Sequence, residues 1–259
     1  MTNKAVLWDE LSWEEVAALR DGGIDMVILP VGATEQHGLH LPTGVDTISA
    51  RAVALGVSAR TGIPVLPELP YGCSLGHSTK WPGTLSLRPE TLARIVRELG
   101  AQVFASGFRR MLLLNGHVTN WAPLRCGLET IRADLPDMRI ALRSVWELSQ
   151  EVHAWYHSDG GNNWHANDAE TSVMLSLRPD LVRMERAVDE PDRSTCCFFS
   201  YTVDKESVHG GVGKPTRASA DLGDRILASC VEALSGQLSR ALRERTPLED
   251  WPGAPLPLA

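Results

Sequence analysis

The chain has 259 residues, of which 43% are hydrophobic, so it is long enough to bury a sizeable core. Its formal net charge of −7 argues against a protein that coats nucleic acid or an anionic membrane, since both require a basic face. No stretch is apolar enough to span a bilayer, and the N-terminal residues lack the apolar core of a signal peptide. We therefore expect a cytoplasmic protein that acts on a small molecule.

The five cysteines are scattered along the chain and form no Cys-x-x-Cys pair. A disulfide framework and a thiolate zinc site are therefore not expected. Cys196 and Cys197 are interpreted as small apolar residues that lead into Phe198 and Phe199, rather than as a redox pair. Any metal bound to this chain must be held by oxygen and nitrogen ligands.

The first half of the chain alternates between helical and extended patterns. The predicted elements are a helix over 12–20, a strand over 26–31, a helix over 47–59, a short strand at 64–66, a long loop over 67–88 and a helix from Pro89 to near Gly107. Ser12 can cap the first helix, and proline suits the first position of the last one. The loop over 67–88 is long enough to suggest a functional role.

The second half of the chain continues the alternation. The predicted elements are a strand over 110–114, a helix marked by Leu124, Leu128, Ile131 and Leu135, a strand over 138–142, a loop over 153–167, a helix that Asn167 or Asp168 caps and Pro179 closes, an irregular segment over 183–217, a helix over 221–242 and a proline-rich tail over 246–259. Strands that alternate with helices indicate βαβ units. We predict a single α/β domain over residues 1–259, with a mainly parallel central sheet and helices on both faces.

Candidate metal ligands follow two of the predicted strands. Glu35, His37 and Asp46 come after the first strand, and His117 follows the strand over 110–114. Ligands bind at the carboxyl ends of open parallel sheets, so these side chains converge if the two strands are neighbours. Carboxylates and imidazoles without a thiolate suit zinc, manganese or iron. Two metals would need a bridging carboxylate, and Asp46 is the candidate because it is short and caps a helix.

A second polar group lies at the start of the helix that Pro179 closes. His165 precedes the predicted cap, and Glu170 lies in the first helical turn. An acid at that position also interacts favourably with the helix dipole without binding a metal. We interpret Glu170 as a further metal ligand and His165 as a residue that approaches the substrate.

Two other motifs suggest different chemistry. The GCSLG segment matches the G-x-S-x-G motif of a serine hydrolase, with Ser74 as nucleophile, but residues 77–87 lack the helical period that should follow. Residues 209–215 resemble a phosphate loop, but Val208 replaces its first glycine and Pro215 its magnesium-binding Ser or Thr. A turn is favoured at both places.

Five sequence blocks together resemble the signature of the creatininase (creatinine amidohydrolase) family. They are, in chain order, GATEQHGLHLPTGVDT, WPGTLSL, LLLNGHVTN, HANDAETSVMLSLRPDLV and GVGKPTRASADLG. The resemblance is specific for the family and not for one substrate. It implies an αβα layered domain, assembled as a homohexamer, with two divalent metal ions per subunit at the strand ends. Zinc is the first choice, with manganese or iron as alternatives.

The resemblance also implies roles for the candidate residues. One metal would be held by Glu35, Asp46 and His117, and the other by His37 and the bridging Asp46. In creatininase a glutamate two residues after the NGH histidine completes the second site, but this chain has Thr119 there. We expect Glu170 to supply the missing carboxylate. His165 matches the histidine that transfers a proton during ring opening, and the expected substrate contacts are Trp146, Trp164, Ser74 and His77.

The implied reaction is hydrolysis of a C–N bond by metal-bound hydroxide, in a small cyclic amide such as creatinine or a related ring. Formamides, peptides and cyclic ketosugars are alternative substrates within the family. A serine hydrolase that uses Ser74 and a non-enzymatic binding protein are less favoured. Substrate choice is expected to depend on the loops over 72–83, 146–165 and 209–216.

Overall fold

The computed structural model describes residues 4–78, 80–160 and 163–248. The strands in this part of the chain are β1 (Met26–Val31), β2 (Arg110–Asn115) and β3 (Arg139–Ser144). The α-helices are α1 (Trp13–Asp21), α2 (Val45–Thr61), α3 (Pro89–Ala105), α4 (Trp121–Asp134), α5 (Gln150–Tyr156), α6 (Asp168–Leu177), α7 (Val203–Glu206) and α8 (Ala220–Ala241). Of these helices, none combines the length and the apolar character that crossing a bilayer requires.

The three strands form one parallel sheet in the order β1-β2-β3. Met26 of β1 pairs with Arg110 of β2, and the register continues to Val31 and Asn115 at the carboxyl ends. The predicted strand at 64–66 is reduced to isolated bridges beside β1, one of them between Ile28 and Val65. The prediction of a parallel sheet is confirmed.

Helices cover both faces of the sheet. Successive side chains of a strand point to opposite faces, so Ile28 and Leu29 of β1 enter different cores. Ile28 packs with apolar residues of α2, α5, α6 and α8, whereas Leu29 packs with apolar residues of α3 and α4 and with Val16 of α1. The αβα layering implied by the resemblance is therefore confirmed.

Three segments without predicted regular structure have different outcomes. Residues 153–167 were expected to form a loop, but α5 occupies the first part of this segment, and the Ser149 side chain caps it by accepting from Val152 N. The segment 183–217 is irregular as predicted, with α7 and short 3-10 turns as its helices. Most of the predicted tail, residues 249–259, lies outside the described residues, and the single domain over 1–259 stays a prediction.

Candidate metal centre

The candidate site lies where the carboxyl ends of β1 and β2 meet the first turn of α2. Gly32 follows β1 and Gly116 follows β2. A Cβ atom on Gly32 would collide with the backbone of Thr47, and one on Gly116 would collide with the carbonyl oxygen of Asp46. The two glycines thus let the start of α2 approach both strand ends, which brings Asp46 into the crevice.

Asp46 lies between two histidines. Its Oδ1 is 3.4 Å from His37 Nε2, and its Oδ2 is 3.2 Å from His117 Nδ1. The prediction that Asp46 caps α2 is wrong, because the cap residue is Gly44 and Asp46 lies inside the first turn. The helix backbone therefore fixes the carboxylate, and each of its oxygens faces a different imidazole.

A first group that could hold a metal consists of Glu35, Asp46 and His117, whose candidate ligand atoms all lie within 4.8 Å of one another. Glu35 is fully buried, and its Oε2 lies 3.1 Å from His117 Nε2. The same nitrogen is 3.1 Å from the Cys73 carbonyl oxygen. Because a carbonyl only accepts, Nε2 can carry the proton and leave the Nδ1 lone pair directed toward Asp46.

A second group consists of His37, His165 and Glu170. His37 Nδ1 lies 3.0 Å from the Glu35 carbonyl oxygen, so this nitrogen donates and Nε2 is left as the ligating atom. Nε2 is 3.6 Å from Oε1 of Glu170. The sequence placed Glu170 beside His37, but it did not identify His165 as a residue with ligand geometry.

The backbone before α6 positions both His165 and Glu170. Ala166 has φ of 51°, the one positive φ among the non-glycine residues that the structure describes. Its N–H donates to Oε2 of Glu170 at 2.6 Å, and the Asn167 side chain accepts from Glu170 N at 3.1 Å. His165 exchanges two backbone hydrogen bonds with Val212, at 2.9 and 2.7 Å. The glycine turn after residue 209 therefore holds His165 in place.

His77, predicted as a substrate contact, also faces the candidate ligands. Its Nδ1 is 3.2 Å from Glu35 Oε1, and Glu35, His77 and His165 form a third group with metal-binding geometry. Gln36 was not predicted, yet its Nε2 donates to the Gly210 carbonyl at 2.9 Å and lies 3.0 Å from His77 Nδ1. Gln36 thus joins the first loop to the loop after residue 209.

The pKa values in the site follow from burial and from the mixed charges. Burial raises the pKa of Glu35. Burial acts in the same direction on Asp46, but His37 and His117 prevail and hold the pKa of Asp46 well below its usual range. Burial disfavours the charged form of His117, but Glu35 and Asp46 raise its pKa to about 9. Carboxylates that stabilise the charged form of a neighbouring imidazole in this way would also attract a divalent cation, which would take the place of the imidazolium proton.

Buried polar atoms without a hydrogen-bond partner among the described residues mark the centre of the site. Both carboxylate oxygens of Glu35, Nε2 of His37 and Oδ2 of Asp46 are buried and have no hydrogen-bond partner within the described chain. Buried polar atoms in proteins are nearly always satisfied. Asp46 lies 3.4 Å from His37 and forms one group with Glu35 and His117, so these atoms lie in one cluster. The donor set, made of carboxylates and imidazoles, therefore fits a divalent metal.

A cavity of about 450 Å³ opens above these residues. Trp164 and His77 line it, as do residues of the segment 194–206. Two predicted substrate contacts are placed elsewhere. Trp146 is buried behind Trp164, with ring centroids 5.6 Å apart, and Ser74 is fully buried, with its Oγ 3.0 Å from His117 Nε2.

Asn120 supports the site and was not predicted. Its Oδ1 accepts from Cys73 N at 2.8 Å, and its Nδ2 donates to the Gly32 carbonyl at 2.9 Å. The side chain is fully buried and ties the loop before Ser74 to the end of β1. Asn120 belongs to the sequence block that contains His117. A small polar residue so close in sequence to a predicted ligand could have indicated a supporting role.

The family profile described as creatininase, creatinine amidohydrolase, matches residues 9–238. Creatinine amidohydrolase of Pseudomonas putida is 33% identical over 95% of this chain and 99% of that protein. Mycofactocin precursor peptide peptidase of Mycolicibacterium smegmatis is 31% identical over 87% of this chain and 89% of that protein. 3-Dehydro-scyllo-inosose hydrolase of Thermotoga maritima is 30% identical over 91% of this chain and 81% of that protein.

Solved structures of creatininase are similar to this chain along nearly all of its length. A glutamate-to-glutamine variant of creatininase in a Zn-Zn form matches with a TM-score of 0.84 and 30% identity, over 93% of this chain and 100% of that one. A manganese form of creatininase gives the same TM-score at 31% identity, over 93% of this chain and 100% of that one.

Proposed function

The chain belongs to the creatininase family, and on that basis we propose that it is a hydrolase that uses a dinuclear divalent metal centre to cleave a C–N bond in a small cyclic amide. The observation that carries the proposal is the clustering of buried ligand atoms of Glu35, His37 and Asp46 that have no hydrogen-bond partner within the described chain. Relatives that share the fold include a creatinine amidohydrolase.

In this proposal Asp46 would be shared by two metals. Glu35 and His117 would hold one of them with Asp46, and His37 and Glu170 would hold the other. Thr119 stands where creatininase has a glutamate, and its hydroxyl donates to the Cys73 carbonyl. We propose that Glu170 supplies the carboxylate that Thr119 lacks. Zinc and manganese are the leading candidates, in line with the two forms in which creatininase has been solved. Such metals, when bound, would supply a water of lowered pKa and would polarise a carbonyl oxygen.

His165 is proposed to move the proton. Its Nε2 lies 2.8 Å from the Gln36 carbonyl oxygen, which only accepts, so the proton of the neutral ring sits on Nε2. Burial, followed by His37, lowers the pKa of His165 to about 4, so the neutral ring prevails at neutral pH. Nδ1 lies 3.5 Å from Glu35 Oε1 and so faces the candidate ligands, where it would take a proton from the attacking water and return it to the departing nitrogen.

The family leaves the substrate open. The relatives include a peptide peptidase and an inosose hydrolase, so we retain a peptide and a cyclic ketosugar as alternative substrates. A formamide is retained from the family resemblance. A homohexamer in the cytoplasm is proposed from the family resemblance alone. The mass of the assembly, measured by light scattering, tests the subunit number.

One observation favours a second candidate, a serine hydrolase. Ser74 Oγ, His117 Nε2, His117 Nδ1 and Asp46 Oδ2 follow one another at 3.0 and 3.2 Å, in the order of a catalytic triad. Ser74 is however fully buried, and the short 3-10 turn Leu75–His77 follows it instead of a helix. A fluorophosphonate should leave Ser74 unlabelled and the activity intact; labelling with loss of activity would support the serine mechanism.

The main experiment removes and restores the metal. The protein is treated with a chelator, dialysed, and assayed on cyclic amides, formamides and ketosugars before and after addition of zinc or manganese. We expect activity to disappear with the metal and to return with about two metals per subunit, as the implied dinuclear site requires. Full activity in metal-free protein would overturn the proposal, and tight metal binding without turnover on any substrate would favour a binding protein.

A further inference from the structure

The outer wall of the cavity carries exposed aromatic rings. Phe198 and Phe199 are 93% and 68% exposed, and their centroids lie 5.0 Å apart at an interplanar angle of 87°. Tyr201 is also exposed and lines the same cavity. The free energy falls when an apolar group covers neighbouring rings that would otherwise be exposed to water. The floor of this cavity is the set of candidate metal ligands, so a molecule bound at the floor extends toward the rings.

The charged side chains that line the cavity are a second feature relevant to the substrate. Among the described residues that line the cavity there is no lysine or arginine. The nearby cation Lys80 donates to the carbonyls of Ser207 and Val208, and Arg193 pairs with Glu190. Glu206 does line the cavity, where its Oε2 accepts from Asn163 Nδ2 at 3.0 Å. An anionic substituent that lies against the wall would therefore meet the Glu206 carboxylate without a lysine or arginine side chain in the described lining to pair with it.

The volume adds a third constraint. Pockets of roughly 300–1,000 Å³ enclose drug-sized ligands, and this cavity of about 450 Å³ lies within that range. A small unsubstituted ring would bind near Glu35 and leave the space beside Phe198 and Phe199 unfilled. The cavity therefore accommodates a ring together with a substituent of aromatic size.

We propose that the substrate is an uncharged amide that carries an aromatic or branched apolar substituent, which packs on Phe198 and Phe199, and that anionic substituents are rejected. The inference rests on the proposed function, because it takes the metal ligands as the place of the reacting bond. Phe198 and Phe199 then determine specificity without taking part in the chemistry.

The test is a series of hydantoins that carry hydrogen, a benzyl group or a carboxymethyl group at the same ring carbon. Both kcat/KM and binding by calorimetry are measured with the metal-loaded protein. We expect the benzyl compound to exceed the unsubstituted ring by roughly tenfold or more, the gain that a well-filled apolar pocket gives. The carboxymethyl compound should fall below the unsubstituted ring. Equal kcat/KM values and equal affinities for the three compounds would overturn the inference.

Variants locate the preference on the wall. In Phe198→Ala/Phe199→Ala the ratio of the benzyl to the unsubstituted compound should fall toward one, mainly through KM. Trp13→Ala, which removes a 78% exposed ring on α1, is the matched control and should keep the wild-type ratio. A wild-type ratio in the double variant, combined with a changed subunit number, would assign the rings to a contact between copies and overturn the inference.

The two measurements separate this inference from the proposed function. If the benzyl compound binds more tightly than the carboxymethyl compound but no amide is hydrolysed, the proposed reaction fails and the preference of the wall stands. If amides are hydrolysed without any preference, the reaction stands and the inference fails. If no compound is hydrolysed and all bind with the same affinity, both are overturned.

Discussion

The backbone N–H of Ala166 donates to Oε2 of Glu170 at 2.6 Å, which leaves Oε1 of that carboxylate to face His37 Nε2 at 3.6 Å. The residue that follows His165 thus fixes the Glu170 carboxylate through the oxygen that does not face His37. Because Ala166 has a left-handed backbone, the direction of this N–H is set by the chain turn itself. The candidate proton carrier and the candidate ligand are therefore fixed by one peptide unit.

Glu170→Gln tests whether this carboxylate replaces the one that Thr119 lacks. Glutamine keeps an acceptor for Ala166 N–H but removes the negative charge beside His37. We expect the affinity for one of the two metals to fall by more than the roughly 10- to 100-fold that loss of a supporting residue causes, while the other metal stays bound. Metal analysis after dialysis at a fixed free zinc concentration measures this.

A double variant provides the control for Glu170→Gln. Adding Thr119→Glu restores a carboxylate at the creatininase position, and recovery of the second metal would identify a ligand role rather than a folding defect. Two metals bound at wild-type affinity in the single variant would count against Glu170 as a ligand.

His165→Gln tests the proton-transfer role. Glutamine cannot exchange a proton at the position of Nδ1, so we expect kcat to fall by roughly 10²- to 10⁴-fold with little change in KM. Metal content should stay at the wild-type level. A parallel loss of one metal would instead make His165 a ligand together with His37 and Glu170, which their geometry also permits.

Asn120→Ala should destabilise the fold around the site. The change leaves Cys73 N–H and the Gly32 carbonyl without their partner in a fully buried position. Each unsatisfied group costs about 1–3 kcal/mol, so we expect the two together to lower the free energy of unfolding by roughly 2–6 kcal/mol. Urea denaturation measures it. Asn120→Asp, which keeps the acceptor for Cys73 N–H, should lose less, and equal losses would contradict this division of roles.

Glu190 gives a pH dependence that is separate from the metal ligands. Its buried carboxylate accepts from Val208 N at 2.9 Å and from His209 N at 2.6 Å, and it pairs with Arg193. Burial alone would raise the pKa of Glu190, but these donors lower it below 4.5. A lowered folded-state pKa means that the stabilisation is complete above the unfolded value and is lost as the pH falls through the folded value.

We therefore compare Glu190→Gln with the wild type in urea between pH 7 and pH 3. The variant should be less stable by about 1.5–3 kcal/mol at neutral pH, as expected for hydrogen bonds to a charged group. The difference should shrink below pH 4.5, the value from which the pKa is lowered. Glu185→Gln, on an exposed turn nearby, should show no such difference. A difference that stays constant down to pH 3 would contradict the assignment.

The regular elements were predictable because their signals are local. Ser12 forms a capping box with Glu15, Pro89 begins α3, and Asn167 caps α6 through its side chain, as their sequence context indicates. The segment at 64–66 was predicted as a strand but forms only isolated bridges. A short apolar run predicts burial without specifying regular pairing. Helix α5 escaped prediction because its seven residues are too few to show a clear period.

The candidate ligands were predictable because they follow strands that turned out to be neighbours. The wall was not, because Phe198 and Phe199 lie in an irregular segment far from β1 and β2 in sequence, and only the folded chain brings them to the same cavity. The loop over 209–216 was expected to select the substrate, but Val212 is its one described residue in the lining. Its role is structural support of His165, through backbone pairing that sequence cannot reveal.

The candidate metal ligands and the cavity wall come from separable parts of the chain. Glu35 and His117 are fixed by the sheet, whereas the wall lies within 194–206, a stretch that includes α7 but no strand. Insertions and substitutions in such a segment disturb few backbone hydrogen bonds, so it can diverge while the sheet stays unchanged. This separation allows one scaffold to acquire new substrates by changing a single segment, and it predicts that grafting this segment onto a relative would transfer preference without transferring chemistry.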